Sequence, residues 1–141
     1  MFIKPLYYNC KKHKDEMGAI LDFLKRNREP DFYLTKNNQR LYVNDSKTLR
    51  KFLKECIITY VHRDRETGEV TGVVSVWKGI GGTTKRFYIK MSALNSDVIR
   101  DVLIVLFWRT NFELYAKLRK DSPFLNILRN KGFKWFHGRG K

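Results

Sequence analysis

The chain has 141 residues and carries 29 Lys and Arg against 14 Asp and Glu, a formal net charge of +15. Hydrophobic residues at 43% and aromatics at 14% suffice for a core, which excludes a disordered chain in spite of the charge. The longest apolar run, Val102–Trp108, ends at Arg109, too short to span a bilayer. The N-terminus, Met-Phe-Ile-Lys-Pro, reaches a charge before a secretory h-region can form, so the expected location is the cytoplasm.

Phe2–Tyr8 alternates as a strand does. In Asp15–Asn27 the residues Met17, Ile20, Leu21 and Leu24 recur at i, i+3, i+4 and i+7, which predicts an amphipathic helix. Glu29-Pro30 stops it, because a residue before proline is steered out of the α region. Leu41–Val43 reads as a short strand. Asp45 or Ser46 then caps a helix over Lys47–Cys56 with Leu49, Phe52, Leu53 and Cys56 on one stripe. Three β-rich runs follow, Ile57–Arg63, Val70–Trp77 and Thr84–Leu94, the first two joined by Arg65-Glu66-Thr67-Gly68-Glu69 and the last entered through Gly79–Gly82. They predict an antiparallel meander.

Asn95-Ser96-Asp97 caps a helix over Ser96–Arg109 that is apolar nearly all round and therefore packs under a sheet. Phe112–Leu118 alternates as a strand with one buried face. Asp121 or Ser122 is expected to cap a last helix, with Pro123 in its first turn and Gly132 at C′, before a final strand from Phe133 through Trp135. No internal repeat or Pro/Ser-rich linker interrupts the chain, and the expectation is a single domain over residues 1–141. The fold class is α/β (α+β): a mixed, mostly antiparallel sheet with helices on both faces.

Cys10 and Cys56 fit free thiols of a reducing compartment. Cys10-x-x-His13 with Cys56-x5-His62 could in principle supply four zinc ligands, but the spacings are loose for zinc and Cys56 falls on an apolar helix face, so no metal site is assigned. The cationic surplus is dispersed along the chain. It predicts a long-range field that recruits polyanions, among them nucleic acid, ribonucleoprotein or a phosphorylated cofactor. Trp77, Tyr88, Tyr115, Trp135 and Phe136 among Lys78, Lys90, Lys117 and Lys134 could stack bases and pair phosphates.

The order strand–helix–strand–helix-Gly132-Phe133 over Val73–His137 resembles the GNAT superfamily of acyl-CoA-dependent N-acetyltransferases. The segment from Leu114 to Phe133 carries the resemblance, with Asp121 where family members often have an Asn at the helix start. The resemblance implies acetyl-CoA as cofactor and an amine as acceptor, without a membrane partner. It implies backbone groups at Met91, Ser92 and Ala93 for the pantetheine, and the helix start Asn95, Ser96 and Asp97 with Arg100 for the pyrophosphate. Glu113, Tyr88 and Tyr115 are the proton-transfer candidates. The chain departs from the family in two places: Leu94–Arg100 lacks the glycine-rich pyrophosphate loop, and Leu128 stands where many members have an acidic Tyr. Degenerate GNAT-like proteins also occur in tailed phages, which gives the alternative of a basic protein that binds nucleic acid or serves in a virion.

Overall fold

The computed structural model describes residues 2–6, 14–78, 86–109 and 113–134. Its elements are β1 (Phe2–Leu6), α1 (Lys14–Arg26), β2 (Tyr33–Lys36), β3 (Gln39–Tyr42), α2 (Ser46–Glu55), β4 (Ile58–Arg63), β5 (Val70–Lys78), β6 (Arg86–Ala93), α3 (Ser96–Arg109), β7 (Glu113–Ala116) and α4 (Leu125–Asn130). The main sheet has the order β1-β4-β5-β6-β7. Its first three pairings are antiparallel, as the meander predicted, and β6–β7 is parallel because α3 carries the chain back across the sheet.

Side-chain alternation sorts the strands onto two cores. On one face Val61 and Val73 pack with Ile20 and Phe23 of α1 and Leu49, Phe52 and Leu53 of α2. On the other, Tyr60, Val74, Ile89 and Met91 pack with Ile99, Val102, Leu103 and Leu106 of α3 and Leu128 of α4. Helices thus cover both faces, as expected. Among the described residues no helix is long and apolar enough to cross a membrane.

Local chemistry explains most boundaries. Asp45 caps α2 through a capping box: its carboxylate accepts from Thr48 N–H (2.7 Å), and Thr48 Oγ1 accepts from Asp45 N–H (3.1 Å). Asn95 Oδ1 accepts from Val98 N–H (3.2 Å) at the start of α3. Gly132, at φ 99°, ends α4 while Phe133 N–H returns to Leu128 O (3.0 Å), the C′ role its type suggested.

Three expectations are corrected. The sequence predicts a strand here only over Leu41–Val43, whereas β2 and β3 form a complete hairpin turned by Asn37 and Asn38 at φ 52° and 62°. Asn tolerates the left-handed region that a two-residue hairpin needs, so the Asn-Asn pair was the available signal. Asp121 does not cap α4. Its carboxylate accepts from Arg119 instead (2.8 Å), and the helix begins at Leu125 without a side-chain cap. Residues 133 and 134 form no strand, and Trp135 lies outside the described residues, as do the Gly79–Gly82 turn, Cys10 and His13.

Beneath α3, His62 is buried. Its Nδ1 pairs with Thr71 Oγ1 (2.6 Å), while Nε2 faces Asp101 Oδ2 at 3.5 Å, too far for a normal hydrogen bond. Burial lowers the His62 pKa from its ordinary value, against the opposing pull of Asp101. The unfolded chain therefore binds this proton more readily, and stability should be lost as pH falls through the ordinary histidine range, about 6.5. The expected result is a Tm that is flat above about pH 7 and declines toward pH 5, with a shallower decline in His62→Asn. An equal slope in both proteins would refute the assignment. Cys56 lies on the opposite face, 3.1 Å from Thr59 Oγ1, so Cys56 and His62 cannot share an ion.

Candidate functional site

The sheet opens between its two parallel strands. β6 and β7 pair at Arg86↔Glu113, Phe87↔Leu114, Tyr88↔Tyr115 and Ile89↔Ala116, and there β7 ends. β6 continues for four more residues, Lys90–Ala93, which among the described residues pair with β5 alone. The expected strand Phe112–Leu118 is cut short at Ala116 by this parting.

Backbone polarity along the open edge follows from the ladder. Leu94 N–H donates to Thr71 O (3.0 Å), so even-numbered residues of β6 turn their amides toward β5. Alternation then turns the backbone groups of Phe87, Ile89, Met91 and Ala93 toward β7. The first two lie within the paired section. At Met91 and Ala93 no strand among the described residues meets them.

The segment between α1 and β2 crosses this opening on the α1/α2 face. At one end Asn27 Nδ2 donates to Ser92 Oγ (3.0 Å) and Ala93 O (3.2 Å), and Ser92 Oγ donates to Asn27 O (3.0 Å). At the other end Asp31 Oδ2 accepts from Arg119 N–H (3.3 Å), just beyond β7. Glu29 lies between these ties. Both carboxyls are raised above their ordinary values, in each case chiefly by burial; Asp31 adds repulsion at Glu29, and Arg119 opposes the rise at both. The same segment lines a concavity of about 490 Å³ with Leu24, Asn27, Glu29, Phe32, Tyr42 and Val43 in its wall. No sequence signal marks Asn27, Glu29 or Asp31 as site residues, since Glu29-Pro30 carries only a helix-stop signal.

The predicted residues fall into three groups. Met91, Ser92 and Ala93 form the end of β6 that pairs with β5 but not with β7. Tyr88 and Tyr115 are register partners whose rings meet at 5.5 Å. Glu113 pairs with Arg86 at the far end of the same ladder, three residues and about 10 Å along the strand from the opening. Around α3, the Asn95 side chain is used as the cap, Ser96 Oγ donates to Pro123 O (3.2 Å), and Arg100 lies 3.4 Å from Asp97 and 3.7 Å from Asp101. Asp121 is held by Arg119.

Trp77 and Lys90 are not an exposed stacking surface. Lys90 Nζ donates to Tyr33 O and lies 4.3 Å from the Trp77 ring centre, 5.3 Å from Tyr33 and 5.9 Å from Phe52. Burial lowers its pKa. It is a cation enclosed by aromatic rings in the layer between sheet and α2.

The fold, rather than any one side chain of this site, recurs in solved acetyltransferases. The ribosomal-protein-S5-alanine acetyltransferase of Vibrio fischeri superposes with a TM-score of 0.62 at 12% identity, over 94% of this chain and 78% of that one. A GNAT-family acetyltransferase of Streptococcus pneumoniae gives 0.64 at 11% identity, over 93% and 82%. The chain has the GNAT acetyltransferase fold. An aminoglycoside acetyltransferase from an uncultured soil metagenomic sample gives 0.55 at 14% identity, over 97% and 93%. No protein-family model matches the sequence, and no curated protein matches it.

Proposed function

We propose that the chain is an acyl-CoA-dependent N-acyltransferase in which the donor lies against the open edge of β6. The observation that carries this reading is the parting of β6 and β7 after Ile89↔Ala116, which turns the backbone groups of Met91 and Ala93 into the opening. A pantetheine arm carries amides of its own and would extend that edge as a strand does. An acceptor amine would approach from the concavity beside Glu29, attack the thioester carbonyl and expel the thiolate. Glu29 or Asp31, each half-buried beside the opening, would take the ammonium proton; Tyr88 and Glu113 are the other candidates.

The pyrophosphate end fits less well. The α3 start has no glycine, its Val98 N–H is already taken by Asn95, and Asp97 adds a negative charge. Arg100 is shared between Asp97 and Asp101. Donor affinity would therefore come mainly from the pantetheine and acyl portions.

Calorimetry with acetyl-CoA, CoA and a nucleotide control at moderate salt tests the reading. Saturable binding that favours acetyl-CoA is expected. Met91→Pro deletes one N–H on the open edge and also a fully buried side chain, so it is compared with Met91→Ala, which loses the side chain but keeps the N–H. With both shown to be folded by circular dichroism, Met91→Pro should bind acetyl-CoA at least about tenfold more weakly than Met91→Ala, the worth of one lost hydrogen bond with its partner left unpaired. Binding that any polyanion matches and salt abolishes would sink the proposal.

A further inference from the structure

The +15 charge is dispersed in sequence, but the fold gathers part of it on one surface. Along α2, Lys47, Arg50, Lys51 and Lys54 recur at i, i+3, i+4 and i+7 and share the face opposite the buried Leu49, Phe52 and Leu53. Lys36, at the end of β2, comes against Lys51 and extends this face onto the hairpin. The Lys36 ammonium, through contact and charge, together with burial and Lys47, pulls Lys51 below its ordinary value; Glu55 pulls the other way. Among the described residues none of the five cations forms an ion pair. On α2 the pairs 47–50, 47–51, 50–54 and 51–54 are all like-charged, and only Lys51–Glu55 is opposite. A helix that keeps four repulsive pairs on its exposed face is disfavoured by itself. An anion laid along it removes that cost.

We infer that the outer face of α2, with Lys36 of the hairpin, is a docking surface for the phosphate backbone of nucleic acid. From Lys47 to Lys54 the cations span about 10 Å at 1.5 Å per residue. At about 3.4 Å of rise per nucleotide, that matches roughly three phosphates of one strand. A membrane surface fits poorly, because every large apolar residue of α2 is turned into the core and none remains to insert among lipids. The face holds no exposed aromatic ring and no residue arranged to read a base, so recognition is independent of sequence. This surface is separate from the opening between β6 and β7 and does not depend on what binds there.

Fluorescence anisotropy with a labelled single-stranded RNA and a labelled DNA duplex, titrated at several salt concentrations, tests it. The wild type is compared with Lys47→Gln/Lys51→Gln/Lys54→Gln and with a control of equal charge loss, Lys117→Gln/Lys120→Gln/Lys134→Gln. A second variant, Lys36→Gln/Lys51→Gln, removes the crowded pair without altering three helix positions. Thermal melts confirm that each protein is folded. The α2 triple variant should bind at least about tenfold more weakly near 0.1 M salt and lower the slope of log K against log[salt] by about 2 to 3, while the control changes little. The pair variant should fall in between. Absence of wild-type binding, equal weakening in both triple variants, or equally tight binding of polyglutamate would overturn the inference.

Discussion

Phe52→Ala is expected to be the most damaging single truncation in the layer between the sheet and α2. The ring is fully buried, stacks on Phe32 at 4.6 Å and meets Trp77 edge-on at 4.9 Å. Removing a buried Phe costs about 3–5 kcal/mol, a transfer loss plus an unfilled cavity. Set against a typical stability of about 5–15 kcal/mol, that can consume most of the margin. Urea unfolding monitored by circular dichroism gives the value. Phe52→Leu, which keeps much of the volume, should cost about half as much or less. The cavity also opens beside Lys90, whose pKa is depressed by burial, so the truncation should move that pKa back toward the ordinary lysine range. A loss below about 1.5 kcal/mol for the alanine variant would mean that this layer is not packed as described.

Gly72→Ala should destabilise the other face, by a different route. A Cβ at Gly72 would lie 2.4 Å from Val98 Cγ1, well inside the 3.5–4.0 Å of ordinary carbon contacts. Val98 cannot easily turn away, because a β-branched side chain in a helix has one strongly preferred rotamer. The start of α3 must lift from the sheet instead, at about 1–3 kcal/mol, partly offset by the gain of about 0.5–1 kcal/mol from replacing a flexible glycine. Val98→Ala removes the clashing methyl, so the double variant should recover part of what the single Gly72 variant loses. A double-mutant cycle measures that coupling. Strict additivity would show that the clash does not govern this seat.

The elements legible in the sequence were those with strong local signals. The α3 boundaries, Ser96–Arg109, and the antiparallel meander agree with the sequence reading, and Asp45 was one of two residues expected to cap α2. The fold class and the likeness to acetyltransferases were legible too, from the order of elements after Val73. Legibility failed where the controlling interaction was distant. Phe112–Leu118 alternates throughout, yet β7 stops at Ala116, because strand length is set by how far β6 stays alongside. Asp121 has the right residue type for a cap, but a neighbouring guanidinium holds it. Lys90 and Trp77 look like an exposed basic and aromatic pair in a strand, and only the arrival of α2 and the hairpin on that face encloses them.

Periodicities, caps, turn glycines and the size of the positive charge follow from the residues alone, because each acts over a few residues or over the whole chain. Three further features depend on distant segments coming together in the fold. It placed Asn27, Glu29 and Asp31 across the opening, through hydrogen bonds that link residues 66 and 88 positions apart. It set the point at which β6 and β7 separate. It also brought Lys36 of the hairpin against Lys51, extending onto a second element a cationic face whose spacing along α2 is local.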